Sequence, residues 1–258
     1  MNLYKSFSRT KEDDYFLHEL KNNEWDNVKN ILKSNALSCY LDEDKLSDLE
    51  NIKDNAEKKD FLKKYIFPSK GNIKSGDFGE ILSYFFIVEK HKNLKNKIVL
   101  KGPKKWIWKD DNNKAAPGAD VLLYSIKNSS KPSTQDIVLT IESKMSATKA
   151  SKSRIQDAID GAEDDRISRL TKTLVWLKRK YALAGNTSKM QEIKRFQDPV
   201  TLGYRKKHYA IAIINEQFLD DQLSKDFEKK ENIIIYVISI EKLKEMYEEF
   251  FLESINDC

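Results

Sequence analysis

The stretch 136–144, Asp-Ile-Val-Leu-Thr-Ile-Glu-Ser-Lys, constrains the fold more than any other. Its apolar and β-branched run is strand-like and too short for a buried helix. Side chains two apart in a strand share a face, so Glu142 and Lys144 emerge together at the strand's end. A second strand is expected over residues 119–126, with Asp120 near its start. The intervening stretch 128–135, Asn-Ser-Ser-Lys-Pro-Ser-Thr-Gln, is turn-rich and joins the two strands as a hairpin. A turn centred near Lys131-Pro132 puts Asp120 opposite residue 143, give or take two. Asp120, Glu142 and Lys144 therefore meet at one end of a sheet.

Two carboxylates suit Mg²⁺ or Mn²⁺, which take oxygen ligands, and the carbonyl of Ser143 is placed to be a third. A metal there acidifies a bound water and stabilises charge growing on a phosphate. Lys144 orients or deprotonates that water if burial lowers its pKa, and it neutralises the phosphate. The plainer alternative is a surface Glu–Lys pair worth little. Glu80 is a fourth candidate. It sits among Phe78, Ile81, Leu82, Tyr84 and Phe85 in a helix expected over residues 75–91, N-capped by Asp77. A buried carboxylate needs a partner, which a metal or Lys144 supplies, and a capping-box role is the alternative.

Charge follows the same map. Net charge is −2 over residues 1–66, +6 over 67–118, 0 over 119–144, +8 over 145–215 and −7 over 216–258. Basic segments flank a neutral one that carries the carboxylates, which suits a polyanion such as DNA or simply a solvated lysine-rich surface. Lys149, Lys152 and Arg154 precede or open the helix expected over residues 151–183, where they and the helix N-terminus can grip phosphate. Trp106 and Trp108 stand on a basic loop, where they stack on bases or cover the core.

Several classes are excluded. Two cysteines and three scattered histidines make no disulfide framework, zinc site or His-based triad. There is no Gly-rich phosphate loop. No apolar run is long enough to cross a bilayer and the N-terminus has no signal core, so no membrane partner and a cytoplasmic location are expected. The remaining elements are a polar, mainly helical segment over 1–70 with Leu17, Leu20, Val28, Ile31 and Leu32 on one face, short strands at 97–101, 208–214 and 233–240, and helices at 188–196 and 241–255. That order predicts an α/β fold: a mixed central sheet flanked by helices, with a helical lead-in (1–70) before the main domain (71–258). The lead-in and the acidic tail are candidate docking surfaces.

Gly79-Glu80, Gly118-Ala119-Asp120 and Glu142-Ser143-Lys144 together resemble the PD-(D/E)xK nuclease superfamily, although no proline directly precedes Asp120. More narrowly, Gly-Asp-Phe-Gly-Glu-Ile-Leu-Ser-Tyr-Phe-Phe, then Gly-Ala-Asp-Val-Leu, then Ile-Glu-Ser-Lys resemble the HamA nuclease subunits of the Hachiman anti-phage system over roughly residues 70–250. The resemblance implies a restriction-endonuclease-like fold and a Mg²⁺-dependent deoxyribonuclease whose metal ligands come from Glu80, Asp120, Glu142 and Ser143. It also implies a superfamily 2 helicase partner, HamB-like, that restrains and triggers the nuclease. Gln156 matches a glutamine that supports the site in recombination-type relatives, but the tyrosine that comes after it there is replaced by Asp160. A catalytically silent nucleic-acid-binding or assembly subunit is the alternative.

Overall fold

The computed structural model describes residues 2–94, 98–199 and 203–257. Its strands are β1 (Thr10–Lys11), β2 (Phe16–Glu19), β3 (Val121–Ser125), β4 (Ile137–Ser146), β5 (Arg205–Asn215) and β6 (Ile233–Ile240). Its helices are α1 (Trp25–Lys33), α2 (Ala36–Tyr40), α3 (Glu43–Asn51), α4 (Asn55–Phe61), α5 (Gly71–Lys92), α6 (Arg154–Asp164), α7 (Leu170–Leu183), α8 (Thr187–Lys194), α9 (Leu219–Leu223) and α10 (Leu243–Asn256). One mixed sheet runs in the order β1-β2-β6-β5-β4-β3. The strands from β2 to β4 pair in parallel and the two edge pairs, β1–β2 and β3–β4, are antiparallel.

Burial on both faces explains the apolar central strands. In β5, Tyr209, Ile211 and Ile213 enter one core with α5 and α10, while Ala210, Ala212 and Ile214 enter another under α6. The same alternation in β6 sends Tyr236, Ile238 and Ile240 one way and Ile233, Ile235 and Val237 the other. α5 is buried on most sides and spans the first face, next to β4. A third cluster, Leu122, Tyr124 and Val138 with Leu174, Leu177 and Phe196, packs α7 and α8 over the β3 edge.

Four local expectations change. α5 begins at Gly71, where Asn113 Oδ1 accepts from the backbone N–H of Ser69 (2.8 Å) and Lys70 (3.0 Å). Asp77 is therefore no N-cap. It lies buried inside the helix, bound by Lys109 Nζ at 2.6 Å and by Tyr40 Oη at 2.7 Å. The lead-in is mainly helical, as expected, and also contributes β1 and β2. Leu17 sits in β2 and so cannot share a helical face with Val28 and Leu32. The reason is non-local: β2 takes its ladder from β6, with Leu17 opposite Val237. Of the strand expected at 97–101, residue 97 lies outside the described residues. Residues 98–100 form no strand, and Lys101 makes an isolated bridge to Tyr124.

One hydrophobic cluster joins Leu3, Val28 and Leu32 to Phe78, Ile141, Ile213 and Phe250, so the core crosses position 70 without a break. Among the described residues no helix is long and apolar enough to cross a membrane.

Candidate active site

The β3–β4 hairpin builds the centre. Val121 pairs with Ile141, and Asp120 stands one step beyond, level with Glu142. There the ladder stops, and the Asp120 carboxylate takes over by accepting the backbone N–H of Ser143 at 3.0 Å. The N–H and C=O of one strand residue point to the same side, so the Ser143 carbonyl also faces Asp120. Lys144 Nζ donates to Glu142 Oε1 at 2.6 Å and stands 4.0 Å from Asp120 Oδ2. Two carboxylates thus share one ammonium at a strand end. The Glu142 side chain is 3% exposed and that of Lys144 34%, so the centre opens to solvent on the lysine side.

The long helical stretch after β4 closes the other side. Arg169 Nη1 donates to Glu142 Oε2 at 2.9 Å. Gly161 in α6 makes room, since a Cβ there would fall 2.4 Å from the Glu142 carboxyl carbon. Thr173 in α7 ties down the turn before β3. Its Oγ1 accepts from Ala119 N at 2.9 Å, and Gly118, at φ +90°, could carry no side chain without striking that hydroxyl. Arg169, Gly161 and Thr173 are missed by sequence reasoning. The only local trace of Arg169 is its i,i+4 spacing from Asp165, an acid that is wholly buried.

Glu80 stands apart. Gly79, its neighbour in α5, packs on Ser143 and Met145, which alternate with Glu142 and Lys144 and so lie on the opposite sheet face. Glu80 Oε2 accepts from Trp106 Nε1 at 2.9 Å and lies 3.6 Å from Lys105 Nζ. Lys105 Nζ in turn donates to the carbonyl of Ala119 at 3.0 Å, so Lys105 links Glu80 to the Asp120 turn by hydrogen bonds. Glu80 lies well inside α5, so it is no capping residue. Trp106 is buried on Glu80, and Trp108 packs edge-on to Trp176 and Tyr181.

Burial pushes the Glu80 carboxyl up to about 8, with Lys105 opposing and Asp120 and Asp77 adding to the rise. Glu142 is also raised, by burial and then by Asp120, against Lys144 and Arg169. Lys144 departs from expectation. Burial alone lowers its pKa, but Asp120 and Glu142 together outweigh burial and the net shift is upward. It therefore stays an ammonium, suited to binding phosphate oxygen rather than to accepting a proton. Asp165 is pushed up to about 7 by burial and by Glu142.

The donor set fits a hard divalent cation: the Asp120 and Glu142 carboxylates and the Ser143 carbonyl are all oxygen, and the two carboxylates already hold a cation, Lys144 Nζ, between them. Glu80 does not join them. Among the described residues no group of three or more His, Cys, Asp or Glu is gathered tightly enough to hold a metal ion. Lys149 and Lys152 are exposed in the non-helical segment before α6, and Arg154, its first residue, pairs with Asp157 at 2.7 Å. Gln156 binds Asp160 and the backbone of Glu228, away from the centre.

A helix-flanked mixed sheet with opposed carboxylates and a lysine at one strand end defines an α/β protein with an acidic, lysine-bridged centre. The family model for HamA matches residues 5–253, and the chain belongs to the HamA family, making it a Hachiman defence subunit. No curated protein matches it.

Proposed function

We propose that this chain is a metal-dependent deoxyribonuclease of PD-(D/E)xK type and the effector subunit of its defence complex. The observation that carries the reading is Asp120 set level with Glu142, with Lys144 between them. When bound, Mg²⁺ or Mn²⁺ would supply an acidified water and offset charge growing on the scissile phosphate. Asp120, Glu142 and the Ser143 carbonyl would hold the cation. Lys144, kept protonated by the two acids, binds and orients a phosphate oxygen. The Trp106–Glu80–Lys105 chain holds the Asp120 turn in place. HamA membership supports a partner, and we assign that role to a superfamily 2 helicase of HamB type that restrains the nuclease until it meets foreign DNA.

The test is DNA cleavage by the chain with its helicase, with Mg²⁺ and with EDTA. Asp120→Asn, Glu142→Gln and Lys144→Ala should each lower cleavage by about a hundredfold or more while the fold persists. Wild-type cleavage in all three sinks the reading. A second reading, a catalytically silent DNA-binding or assembly subunit, is favoured by one feature: both Glu142 oxygens are already neutralised by Lys144 and Arg169. It predicts DNA binding without cutting under every condition.

A further inference from the structure

The firmest hold on Glu142 from outside its own strand comes from Arg169. This residue ends a single π turn, Asp165–Arg169, that joins α6 to α7. Each residue added to a helix rotates the next by about 100°, so the wider turn sets where Arg169 points. Its guanidinium makes four contacts: Glu142 Oε2 at 2.9 Å, Gly161 O at 3.3 Å, Asp164 Oδ2 at 3.2 Å and Asp165 Oδ1 at 3.3 Å. Lys144 takes the other Glu142 oxygen. A buried carboxylate with each oxygen on a protein cation can take a metal only against both of those charges. Lys144 faces Asp120 as well and belongs to the centre. Arg169 has a way out, because Asp164 is 70% exposed and can keep the guanidinium after Glu142 is released.

We propose that Arg169 is an ionic latch on Glu142, competing with the divalent cation for Oε2 and so restraining metal loading from within the chain. This rests on the reading of Asp120 and Glu142 as metal ligands. The latch makes loading depend on whatever moves the α6–α7 junction. A partner pressing on that junction would arm the centre without touching the β3–β4 hairpin.

The experiment is calorimetric Mn²⁺ titration of the full chain without DNA, alongside thermal melting. Arg169→Gln should bind Mn²⁺ about tenfold more tightly, the loss of one charged hydrogen-bond competitor. Arg169→Lys keeps the charge but loses the planar fork, and should fall between it and wild type. Arg166→Gln removes the same charge from the same turn, where Arg166 pairs with Glu163 and not Glu142, and should change affinity less than twofold. Glu142→Gln should abolish binding. If Arg169→Gln binds no more tightly than wild type, or Arg166→Gln tightens binding equally, the latch is wrong while the metal reading stands. If neither wild type nor Arg169→Gln binds Mn²⁺, or Glu142→Gln binds as well as wild type, the metal reading fails and the latch with it. Should Arg169→Gln not fold, Arg169→Lys decides: affinity above wild type supports the latch, and affinity equal to it overturns the latch.

Discussion

Gly161 shows how little space the centre leaves. Alanine is the better helix former by about 1 kcal/mol, so on propensity alone Gly161→Ala would stabilise α6. The added methyl would instead sit 2.4 Å from the Glu142 carboxyl, whose two oxygens are held by Lys144 and Arg169. We expect a fold that still melts cooperatively but a Mn²⁺ affinity at least about tenfold weaker, since Glu142 must leave its slot. Unchanged affinity would show that the slot is looser than it looks. Glu80 gives a second test. Its carboxyl stays protonated in the folded chain up to about 8 but ionises at ordinary carboxylate pH when unfolded. The folded state therefore binds the extra proton between those values, and this group's contribution to stability falls as pH rises through that window and levels off above it. Glu80→Gln keeps an acceptor for Trp106 and cannot ionise. Its melting temperature relative to wild type should climb between pH 5 and pH 9, and a constant difference would refute the shift.

At the scale of elements, α5 is strapped to the loop before β3. Asp77 and Lys109 form an ion pair with both side chains about 4% exposed, and Lys105 links Glu80 to Ala119. Removing one member of a buried pair leaves the other charge stranded, at a cost of about 3–5 kcal/mol, whereas replacing both with apolar groups is often near neutral. Asp77→Ala should lose about that much in urea denaturation. Asp77→Ala with Lys109→Met should recover more than half of the loss. A single-mutant loss below about 1 kcal/mol would mean that water reaches the pair. This strap also explains why the sequence misplaces the helix start. Asp77 with Glu80 three residues on imitates a capping box, but its partners Tyr40 and Lys109 lie 37 and 32 residues away in the chain.

For the whole molecule, the first seventy residues are structural. β2 completes the parallel side of the sheet on β6, and α1 docks on α10 through Lys29 to Glu249 (2.6 Å) and Glu253 (2.9 Å) and Lys33 to Asp257 (2.8 Å). Part of the acidic tail thus pairs with the lead-in. A chain starting at residue 71 should lose its cooperative melting transition, because the core holding Tyr236, Ile238 and Phe250 loses Leu3, Val28 and Leu32. If that fragment melts like the full chain, the lead-in is an appendage. The charge map makes a separate prediction. DNA affinity should fall steeply as salt rises, and Lys149→Glu with Lys152→Glu should flatten the slope, because phosphate contacts release counterions. An affinity indifferent to salt would leave the basic segments as solvated surface.

Much of this was legible in the chain itself, for a local reason. A strand repeats every two residues and a hairpin brings its two ends together. Residues 119–144 alone therefore place Lys144 on the same face as Glu142 and Asp120 within two residues of position 143, while the level of Asp120 with Glu142 came from the structure. The apolar runs of β5 and β6 likewise announce a sheet buried on both sides. Only the tertiary structure decided the rest. Whether Glu80 turns to Trp106 or to the acids depends on which sheet face receives α5. Whether Lys144 gains or loses its proton depends on two carboxylates outweighing burial. Arg169 meets Glu142 across 27 residues because one π turn sets the rotation of a helix. None of these has a period in the sequence, since each is a sum over contacts between segments that become neighbours only when the chain is packed.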